Sequence, residues 1–403
     1  GTKIFITCGE HDLSENVVHL VLARTPNAPE GIKGISLFLV PKILPHKDGT
    51  LDSPNNVKCG SIEKKMGIKA SPTCVMHYED AKGWLVGDLN KGMKAMFIMM
   101  NGARLFVGIQ GIGLSETAFQ SSLHYAKERV QGKLPESENI ADPIIVHPEI
   151  RKNLMFMKSM NDGIRGLMLK AGHAFDLIDS DQSKELTESA ENLIALLTPI
   201  LKSFATDKSM EITNQALQIY GGHGYITDHG MEQLVRDARI TPIYEGTNGI
   251  QALDLIGRKF NIHDGLIINQ YLDDINRYLD KHKDNSKMEK YIKLFEPSYN
   301  DLRDCIDFIK RTETTNSQEI NSHAVDFLNI FALVAVGFTW LEFIGISLNK
   351  IENKDDDFYF SKIQLGDFYL TKVIFETQKF KNNIYSSGKL YNEFEDKFFE
   401  AGI

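Results

Sequence analysis

Residues 218–251 read QIYGGHGYITDHGMEQLVRDARITPIYEGTNGIQ and hold the densest group of candidate functional residues in the chain. In the first part of this segment, an apolar helical pattern ends in the paired glycines Gly221 and Gly222. Paired glycines permit positive φ and a close backbone approach by a flat or phosphorylated ligand, but they are equally typical of an ordinary helix end. The segment is neither a Walker loop, since GxxxxGK[ST] is absent, nor a dinucleotide fingerprint, since no strand pattern precedes it.

The second part of the segment puts a carboxylate in front of a predicted helix. Glu245 follows Ile243 and Tyr244 and precedes Gly246 and Thr247, and threonine often caps helix N-termini. Burial against apolar side chains raises the pKa of a glutamate from about 4.3 towards the ~6–7 that suits a general base, whereas a helix N-terminus favours the anion. A lone glutamate before a helix is normally only a partner of the helix dipole, so spacing alone leaves the role of Glu245 open.

Outward from this segment, the chain changes from strand patterns to helix patterns. Short apolar or alternating runs separated by turn residues predict strands of a small barrel or sandwich. These runs cover residues 4–7, 17–23, 35–40 and 74–78. From residue 92 onward, apolar residues recur at steps of three and four, which predicts the helices of an antiparallel bundle. These runs cover residues 93–128, 147–178, 184–220 and 247–259, and further helical runs follow after about residue 265.

We therefore predict an α+β protein with three separate domains. They are a small β-barrel or β-sandwich domain at residues 1–90, an antiparallel helical bundle at 91–262 and an extra C-terminal helical domain at 263–403. Within the bundle, the stretch GIQGIG at 108–113 lies in a helical pattern and predicts a seam of small residues for close helix packing.

The composition of the chain limits the kinds of binding partner and the cellular compartment that we expect for it. The 403 residues include 45 Lys and Arg against 54 Asp and Glu, a net charge of −9, which argues against nucleic acid as the main partner. The four cysteines show neither CxxC spacing nor histidine pairing suited to zinc, so we predict reduced thiols, no metal site and a cytoplasmic location. The most apolar stretch, residues 327–348, has an uninterrupted run of only 12 residues, whereas a membrane span needs ~20. We predict a helix buried in a bundle.

Five blocks of the sequence resemble the FAD-dependent acyl-CoA dehydrogenases. RDARITPIYEGTNGIQ (236–251) and QIYGGHGY (218–225) are similar to the signature of that family. YAKERVQGK (125–133) resembles its YAxxRxQFGK stretch, KIFITCG (3–9) its flavin-facing strand, and KMGIKASPT (65–73) a turn of its middle domain. The helices after residue 265 resemble the larger branch with an added C-terminal domain, which includes the 3-methylmercaptopropionyl-CoA dehydrogenases. The three predicted domains then correspond to the middle β domain, the catalytic bundle and the additional domain.

The resemblance implies an enzyme that converts an acyl-CoA thioester into a 2-enoyl-CoA. Glu245 is expected to take the α-proton, while the β-hydrogen leaves as hydride to the flavin N5. In the family, hydrogen bonds from the flavin ribityl chain and from the backbone N–H of this glutamate stabilise the developing enolate. The resemblance further implies that the electrons pass to electron-transferring flavoprotein and that the protein is a homodimer, since FAD contacts there come from a neighbouring subunit.

The resemblance also carries contact residues over to this chain. Flavin contacts are implied for Phe5, Thr7 and Thr247. Contacts with the pyrophosphate and adenosine parts of FAD, across a subunit interface, are implied for Arg129, Gln218, Gly221 and Gly222. Substrate contacts are implied for Tyr244 and Gly246 at the thioester, and for Asn101 and Arg104 near the CoA. Two plainer interpretations remain open: Arg129 caps a helix C-terminus, and Arg104 pairs with a surface acid.

Some positions depart from the family pattern. Phe5 stands where the family often has Trp, Asn101 where it has Asp, and Gly249 where it has a cofactor-binding Gln. The chain also starts at Gly1, inside a predicted strand, without the family's first helical domain and its TEPxAGSD-like loop. We expect that the start of the protein is missing and that this chain alone holds FAD weakly.

Three other functions remain open at the level of sequence. An acyl-CoA oxidase would pass its electrons to oxygen, and a catalytically inactive structural fragment would keep only the fold. A DNA-associated alkylation-response protein of the same fold would need a basic C-terminal face, and that region carries Asp355, Asp356, Asp357, Glu393 and Glu395. The acyl group is also open: straight, branched, aromatic and methylthio chains all fit the motifs.

Overall fold

The computed structural model describes residues 1–180, 182–313, 317–351 and 356–402, so Asp355 of the acidic run lies outside the described residues. The chain divides into two compact units, Gly1–Ala103 and Arg104–Ile403. The three-domain division stays a prediction: apart from residues 91–103, both predicted helical domains fall within the second unit.

The first unit is built from short antiparallel sheets. Its strands are β1 Thr2–Thr7, β2 Val18–Arg24, β3 Ile35–Pro41, β4 Ile43–Pro45, β5 Leu51–Pro54, β6 Val57–Ile62, β7 Thr73–Tyr78 and β8 Trp84–Val86. They pair in the orders β1-β7-β6, β2-β3-β8 and β4-β5. The four predicted strand runs are confirmed as β1, β2, β3 and β7. The sequence did not predict β4, β5, β6 or β8. These strands are very short or mostly exposed and so lack an alternating apolar pattern.

Helices make up most of the second unit. They are α1 Gly92–Glu128, whose residues up to Ala103 belong to the first unit, α2 Pro148–Asp179, α3 Lys184–Tyr220, α4 Met231–Ala238, α5 Asn248–Leu253, α6 Leu266–His282, α7 Glu289–Glu313, α8 Ser317–Ser322, α9 Ala324–Lys350, α10 Asp357–Phe368, α11 Glu376–Tyr385 and α12 Lys389–Asn392. A π-helix, Asp254–Lys259, continues α5. The four helical runs predicted before residue 260 are confirmed, with ends that differ by only a few residues.

Close packing of α1 on α3 confirms the predicted seam of small residues at two of its glycines. A Cβ on Gly108 would lie 3.2 Å from the carbonyl oxygen of Leu201, and a Cβ on Gly111 would lie 3.0 Å from that of Ala205. Gly113 has no such neighbour within 4 Å. The absence of side chains at Gly108 and Gly111 thus lets the α3 backbone approach α1, and this approach brings α3 side chains towards the site described below.

Helix α9 is deeply buried within the second unit. In the described part of the chain, α1 and α9 are long and apolar enough to cross a membrane by length and composition alone, and 83% of the most apolar window of α9 is buried inside the protein. This burial confirms the prediction of a buried helix at residues 327–348. The indole of Trp340 donates a hydrogen bond to the Ser159 carbonyl of α2 at 3.1 Å, so α9 is packed directly against the bundle.

Candidate active site

Glu245 lies in the turn that connects α4 to α5. The turn closes on itself through hydrogen bonds from the Ile243 and Tyr244 amides to the Ile240 carbonyl, at 2.9 and 3.2 Å. Thr247 is the N-cap of α5, and its side-chain oxygen accepts a hydrogen bond from the Ile250 amide at 3.4 Å. The predicted N-cap is therefore confirmed, and it ends the turn two residues after Glu245.

The backbone of this turn is left-handed at two consecutive residues. Glu245 has φ 57° and Gly246 has φ 88°. A side chain larger than glycine rarely adopts positive φ, so neighbouring groups must hold Glu245 in this conformation. Gly246 has a second constraint, because a Cβ there would lie 2.6 Å from the side-chain nitrogen of Gln251.

Side chains from three helices hold the carbonyl groups on either side of Gly246. The Nε of Arg104, on α1, donates to the Glu245 carbonyl at 3.4 Å. The side-chain amide of Gln251, on α5, lies 3.4 Å from the same carbonyl and 3.3 Å from that of Gly246. The Nζ of Lys202, on α3, donates to the Gly246 carbonyl at 2.8 Å. Arg104 thus contacts the turn itself, and the interpretation of an arginine paired with a surface acid does not describe its position.

The carboxylate of Glu245 has no hydrogen-bond or ion-pair partner among the residues that the structure describes, and the side chain is partly exposed. The neighbouring Tyr244 is held in place by a hydrogen bond from its hydroxyl to the side-chain oxygen of Gln110 on α1. Burial raises the pKa of Tyr244, which keeps its hydroxyl protonated. The turn therefore presents an unpaired carboxylate, able to accept a proton, beside a fixed phenol.

The sequence did not predict that Lys202 and Asn248 contribute to this site. Lys202 is fully buried, with 0% exposure, and burial lowers its pKa from 10.5 to about 8. Its Nζ also donates to the side-chain oxygen of Asn248 at 2.9 Å, and Asn248 in turn donates to Asp207 of α3 at 2.7 Å. The sequence did contain a signal, since Lys202 is a single charge within the apolar stretch PILKSFA at 199–205. A lysine in a buried helix face needs acceptors, and these belong to the turn.

A second group of candidate residues meets at the ends of α1 and α3. Helix α3 ends at Tyr220, and Gly221 follows as its C-cap with φ 59°. The rings of Tyr125, on α1, and Tyr220 stack with centroids 4.1 Å apart, and the hydroxyl of Tyr125 lies 2.9 Å from Nδ1 of His223. These contacts bring the last turn of α1 to the glycine-rich turn that follows α3.

The surface around this meeting point is open. A Cβ on Gly221 or Gly222 would meet no atom within 4 Å, and Gln218 is exposed. Arg129 follows Tyr125 by one helical turn, is exposed, and has no side-chain partner among the described residues. The interpretation of Arg129 as a helix cap thus has no side-chain contact in support, whereas Gly221 does act as an ordinary helix stop.

Phe5, Thr7 and Asn101 belong to the other compact unit. Phe5 lies on β1 where the register with β7 shifts between Lys3 and Ile6, and it combines φ 57° with 68% exposure. Thr7 is exposed at the end of the same strand, and Asn101 lies on α1, partly exposed. A large aromatic side chain that is exposed from a left-handed position beside a β-bulge is unusual and marks a candidate contact surface.

Comparison with known proteins identifies the family. A family model described as "Acyl-CoA dehydrogenase, C-terminal domain" matches residues 90–260. A second, described as "Acetyl-CoA dehydrogenase C-terminal like", matches residues 271–393. Together the two models cover most of the helical part of the chain, including the turn that carries Glu245.

Individual proteins similar to this chain include further acyl-CoA dehydrogenases. The chain is 38% identical over 391 residues to the 3-methylmercaptopropionyl-CoA dehydrogenase of Ruegeria pomeroyi, covering 96% of this chain and 66% of that protein. Its fold is similar to Caenorhabditis elegans ACDH-11 in complex with C11-CoA, with a TM-score of 0.80, 22% identity and coverage of 100% and 63%. It is also similar to an acyl-CoA dehydrogenase of Bacillus anthracis complexed with FAD, with a TM-score of 0.73, 18% identity and coverage of 98% and 65%. The chain spans just under two thirds of the length of these proteins and belongs to the acyl-CoA dehydrogenase family.

Proposed function

We propose that the protein is an FAD-dependent acyl-CoA dehydrogenase that introduces an α,β double bond into an acyl-CoA thioester, with Glu245 as the catalytic base. The observation that carries this proposal is the turn at Glu245 and Gly246. Its two carbonyl groups are held by Arg104, Gln251 and Lys202, while the Glu245 carboxylate has no hydrogen-bond or ion-pair partner in the described part of the chain. Such an arrangement suits a base that must be presented in one direction and must remain free to accept a proton.

The substrate is expected to meet the turn on the side of the free carboxylate. Glu245 takes the α-proton of the thioester, and its backbone N–H supports the oxygen of the thioester carbonyl as negative charge develops there. Tyr244 and Gly246 border the thioester, and Tyr244 is already immobilised by Gln110. Arg104 and Asn101 lie near the CoA, although Arg104 reaches the active site through its contact with the Glu245 carbonyl.

Residues of this chain fit a flavin nucleotide. The exposed ring of Phe5 offers a stacking surface, and open space above Gly221 and Gly222 permits close approach of an adenosine. The guanidinium of Arg129, for which the described residues provide no side-chain partner, suits a pyrophosphate. Gln218, Thr7 and Thr247 supply polar side chains for the same cofactor. Bound FAD supplies the acceptor for the hydride that leaves the β-carbon. The resemblance to the Bacillus anthracis protein complexed with FAD supports this cofactor.

The proposal also includes the wider setting of the enzyme. Electrons pass to electron-transferring flavoprotein, and the enzyme acts as a cytoplasmic homodimer whose FAD contacts at Arg129 and Gln218 come from a second copy. The chain is organised as a middle β domain, a catalytic helical bundle and an additional helical domain. The similarity to 3-methylmercaptopropionyl-CoA dehydrogenase makes a methylthio-acyl-CoA the first substrate to test.

The decisive experiment replaces the proposed base. The full-length FAD-loaded protein is mixed without oxygen with a panel of straight, branched, aromatic and methylthio acyl-CoAs, and bleaching of the flavin absorbance is followed. We expect at least one thioester to bleach the wild-type flavin, and we expect Glu245→Gln to lose this reaction because an amide cannot take the α-proton. Loss of a general base typically lowers the rate by about 10²–10⁴-fold.

The matched control is Glu149→Gln, the same chemical change at an exposed residue in the first turn of α2. It is expected to bleach like the wild type. Persistent bleaching in Glu245→Gln would show that another group is the base. Oxygen consumption with release of peroxide during turnover would identify an oxidase in place of a dehydrogenase.

A further inference from the structure

Lys202 is a fully buried lysine whose side chain reaches the turn that carries Glu245. It has 0% exposure, and its neighbours on α3, Leu201, Ser203 and Phe204, are buried as well. Burial of an ammonium group is unfavourable unless hydrogen bonds replace its hydration. Even a buried ion pair can often be replaced by apolar side chains of similar volume without loss of stability, so burial of a charge is weak evidence for a stabilising role. Fold stability alone therefore does not explain a lysine at this position.

The hydrogen bonds of Lys202 go to the turn on both sides of Thr247. Its Nζ donates to the Gly246 carbonyl at 2.8 Å and to the side-chain oxygen of Asn248 at 2.9 Å. Gly246 directly follows Glu245, and Asn248 is the first residue of α5. One side chain thus joins the residue after the proposed base to the helix that ends the turn.

Peptide geometry links this contact to the direction of the Glu245 side chain. A peptide group is planar and trans, so fixing the Gly246 carbonyl also fixes the plane that links Gly246 to Thr247. Arg104 and Gln251 hold the preceding carbonyl, that of Glu245. These two planes fix the conformation of Gly246, and the first of them is also the plane that follows Glu245. Holding that plane restricts rotation about the Glu245 Cα and so limits the directions that its Cα–Cβ bond can take.

Charged groups from three elements face Lys202. Asp207 lies on its own helix, Arg104 on α1 and Glu245 in the turn. Asp207 and Glu245 favour the ammonium form, whereas Arg104 and, most strongly, burial oppose it, and together they lower the pKa of Lys202 to about 8. Lys202 therefore attracts the carboxylate electrostatically without forming a hydrogen bond that would occupy it.

We propose that Lys202 is a positioning residue for the catalytic base: its contacts with Gly246 and Asn248 hold the turn so that the Glu245 carboxylate is aimed at the substrate. This inference rests on the proposed function, in which Glu245 takes the α-proton. Lys202 itself touches neither the substrate nor the cofactor in this role.

The test compares Lys202→Met with Lys202→Gln and with the control Lys208→Met. Methionine keeps the length and apolar stem of lysine but donates no hydrogen bond, whereas glutamine keeps a donor without the charge. Lys208 lies on the same helix with 12% side-chain exposure and is ion-paired to Glu211 at 2.8 Å, so its replacement measures the general effect of losing a largely buried lysine from α3. Each variant is prepared as the full-length protein.

Two readouts separate positioning from general stability. In steady-state turnover with the acyl-CoA that bleaches the wild type, we expect kcat of Lys202→Met to fall about 10²-fold, as for a misplacement of about 1 Å, while KM changes little. Hydrogen exchange of a peptide covering residues 243–248, which needs neither cofactor nor turnover, should be faster in Lys202→Met. Lys202→Gln should recover part of both properties, and Lys208→Met should match the wild type.

An unchanged kcat and unchanged exchange at residues 243–248 in Lys202→Met would overturn the proposal. So would an equal loss in Lys208→Met, since the effect would then be general, or a rise in KM with normal kcat. If Lys202→Met does not fold, Lys202→Gln decides by the same criteria. If no acyl-CoA bleaches the wild-type flavin, the proposed function fails, and the exchange data still decide whether Lys202 holds the turn.

Discussion

At the scale of single residues, the proposed site contains a backbone conformation that is unfavourable for the side chain it carries. Glu245 adopts a left-handed conformation that a glutamate disfavours, and Gly246 beside it is left-handed as well. Strain of this kind costs of order 1–3 kcal/mol and persists only where the surroundings enforce it. Arg104, Lys202 and Gln251 supply that enforcement through carbonyl groups, so none of them needs to occupy the carboxylate.

Buried Lys202 also predicts a dependence of stability on pH. The pKa of Lys202 is lowered in the folded chain to about 8 from the ordinary 10.5. The unfolded chain therefore binds more protons between these two values, and the free energy of unfolding should rise with pH across this window, by up to about 1.4 kcal/mol per pH unit for one proton. Urea unfolding of the wild type and of Lys202→Met from pH 7 to 10.5 measures this directly.

The expected result is a difference in unfolding free energy, wild type minus Lys202→Met, that grows as the pH rises above about 8. Lys208→Met keeps Lys202 and should keep the wild-type slope. A constant difference across the whole range would contradict the prediction, because Lys202 would then titrate alike in the folded and unfolded chains.

At the scale of elements, the contact between α1 and α3 controls whether Arg104 and Lys202 can reach one turn from two helices. Glycines at 108 and 111 allow the α3 carbonyls of Leu201 and Ala205 to approach α1. A third glycine of the same helix, Gly113, faces open space. The two environments make a matched pair, because all three glycines belong to one continuous helix.

Replacement of these glycines by alanine should have opposite effects. Gly113→Ala should stabilise the protein by about 0.5–1 kcal/mol, since alanine loses less entropy in a helix. Gly111→Ala would put a Cβ 3.0 Å from the Ala205 carbonyl oxygen, a backbone atom that cannot rotate away, and should cost about 1–3 kcal/mol. Thermal unfolding of both variants tests this, and a gain of stability in Gly111→Ala would show that the seam is looser than the structure indicates.

At the scale of the whole molecule, the region after residue 263 is packed as part of the second unit. Val336 and Trp340 of α9 fill the space beside Gly163 of α2, where a Cβ would lie 2.6 and 2.7 Å from their side chains. Trp340 has 0% exposure and donates its indole N–H to the Ser159 carbonyl. The bundle with the proposed site and the additional helices thus share one core.

Shared packing predicts cooperative loss of structure. Trp340→Ala should cost about 3–5 kcal/mol, the range for removal of a buried tryptophan. Hydrogen exchange should then accelerate together in α2, α3 and α9. The control is Trp84→Ala, which removes a tryptophan with 51% exposure from β8 and should leave these helices unchanged. Faster exchange in α9 with full protection in α2 would instead support the separate domains that the sequence predicts.

The local sequence pattern was sufficient to predict much of the secondary structure and the family of this protein. The helical period predicted α1, α2 and α3, because their apolar faces run over many turns. The motif around Glu245 indicated the family, and Thr247 was predicted as an N-cap because capping depends only on neighbouring residues. Short strands such as β5 were missed, since few residues and little burial leave no periodic signal.

Tertiary structure alone decided what holds the proposed base. Arg104 and Lys202 lie 141 and 44 residues from the residues whose carbonyls they hold, and no spacing rule links them to the turn. Gln251 is a local contact, six residues after Glu245. In the sequence, Lys202 is only a single charge in an apolar helix, and its acceptors on Gly246 and Asn248 are visible only in the folded chain. The sequence by itself determined the helices, the family and the candidate base, because these follow from local pattern. The contacts that hold the turn of that base were decided only by the tertiary structure, because burial and hydrogen bonding between distant segments exist only in the folded chain.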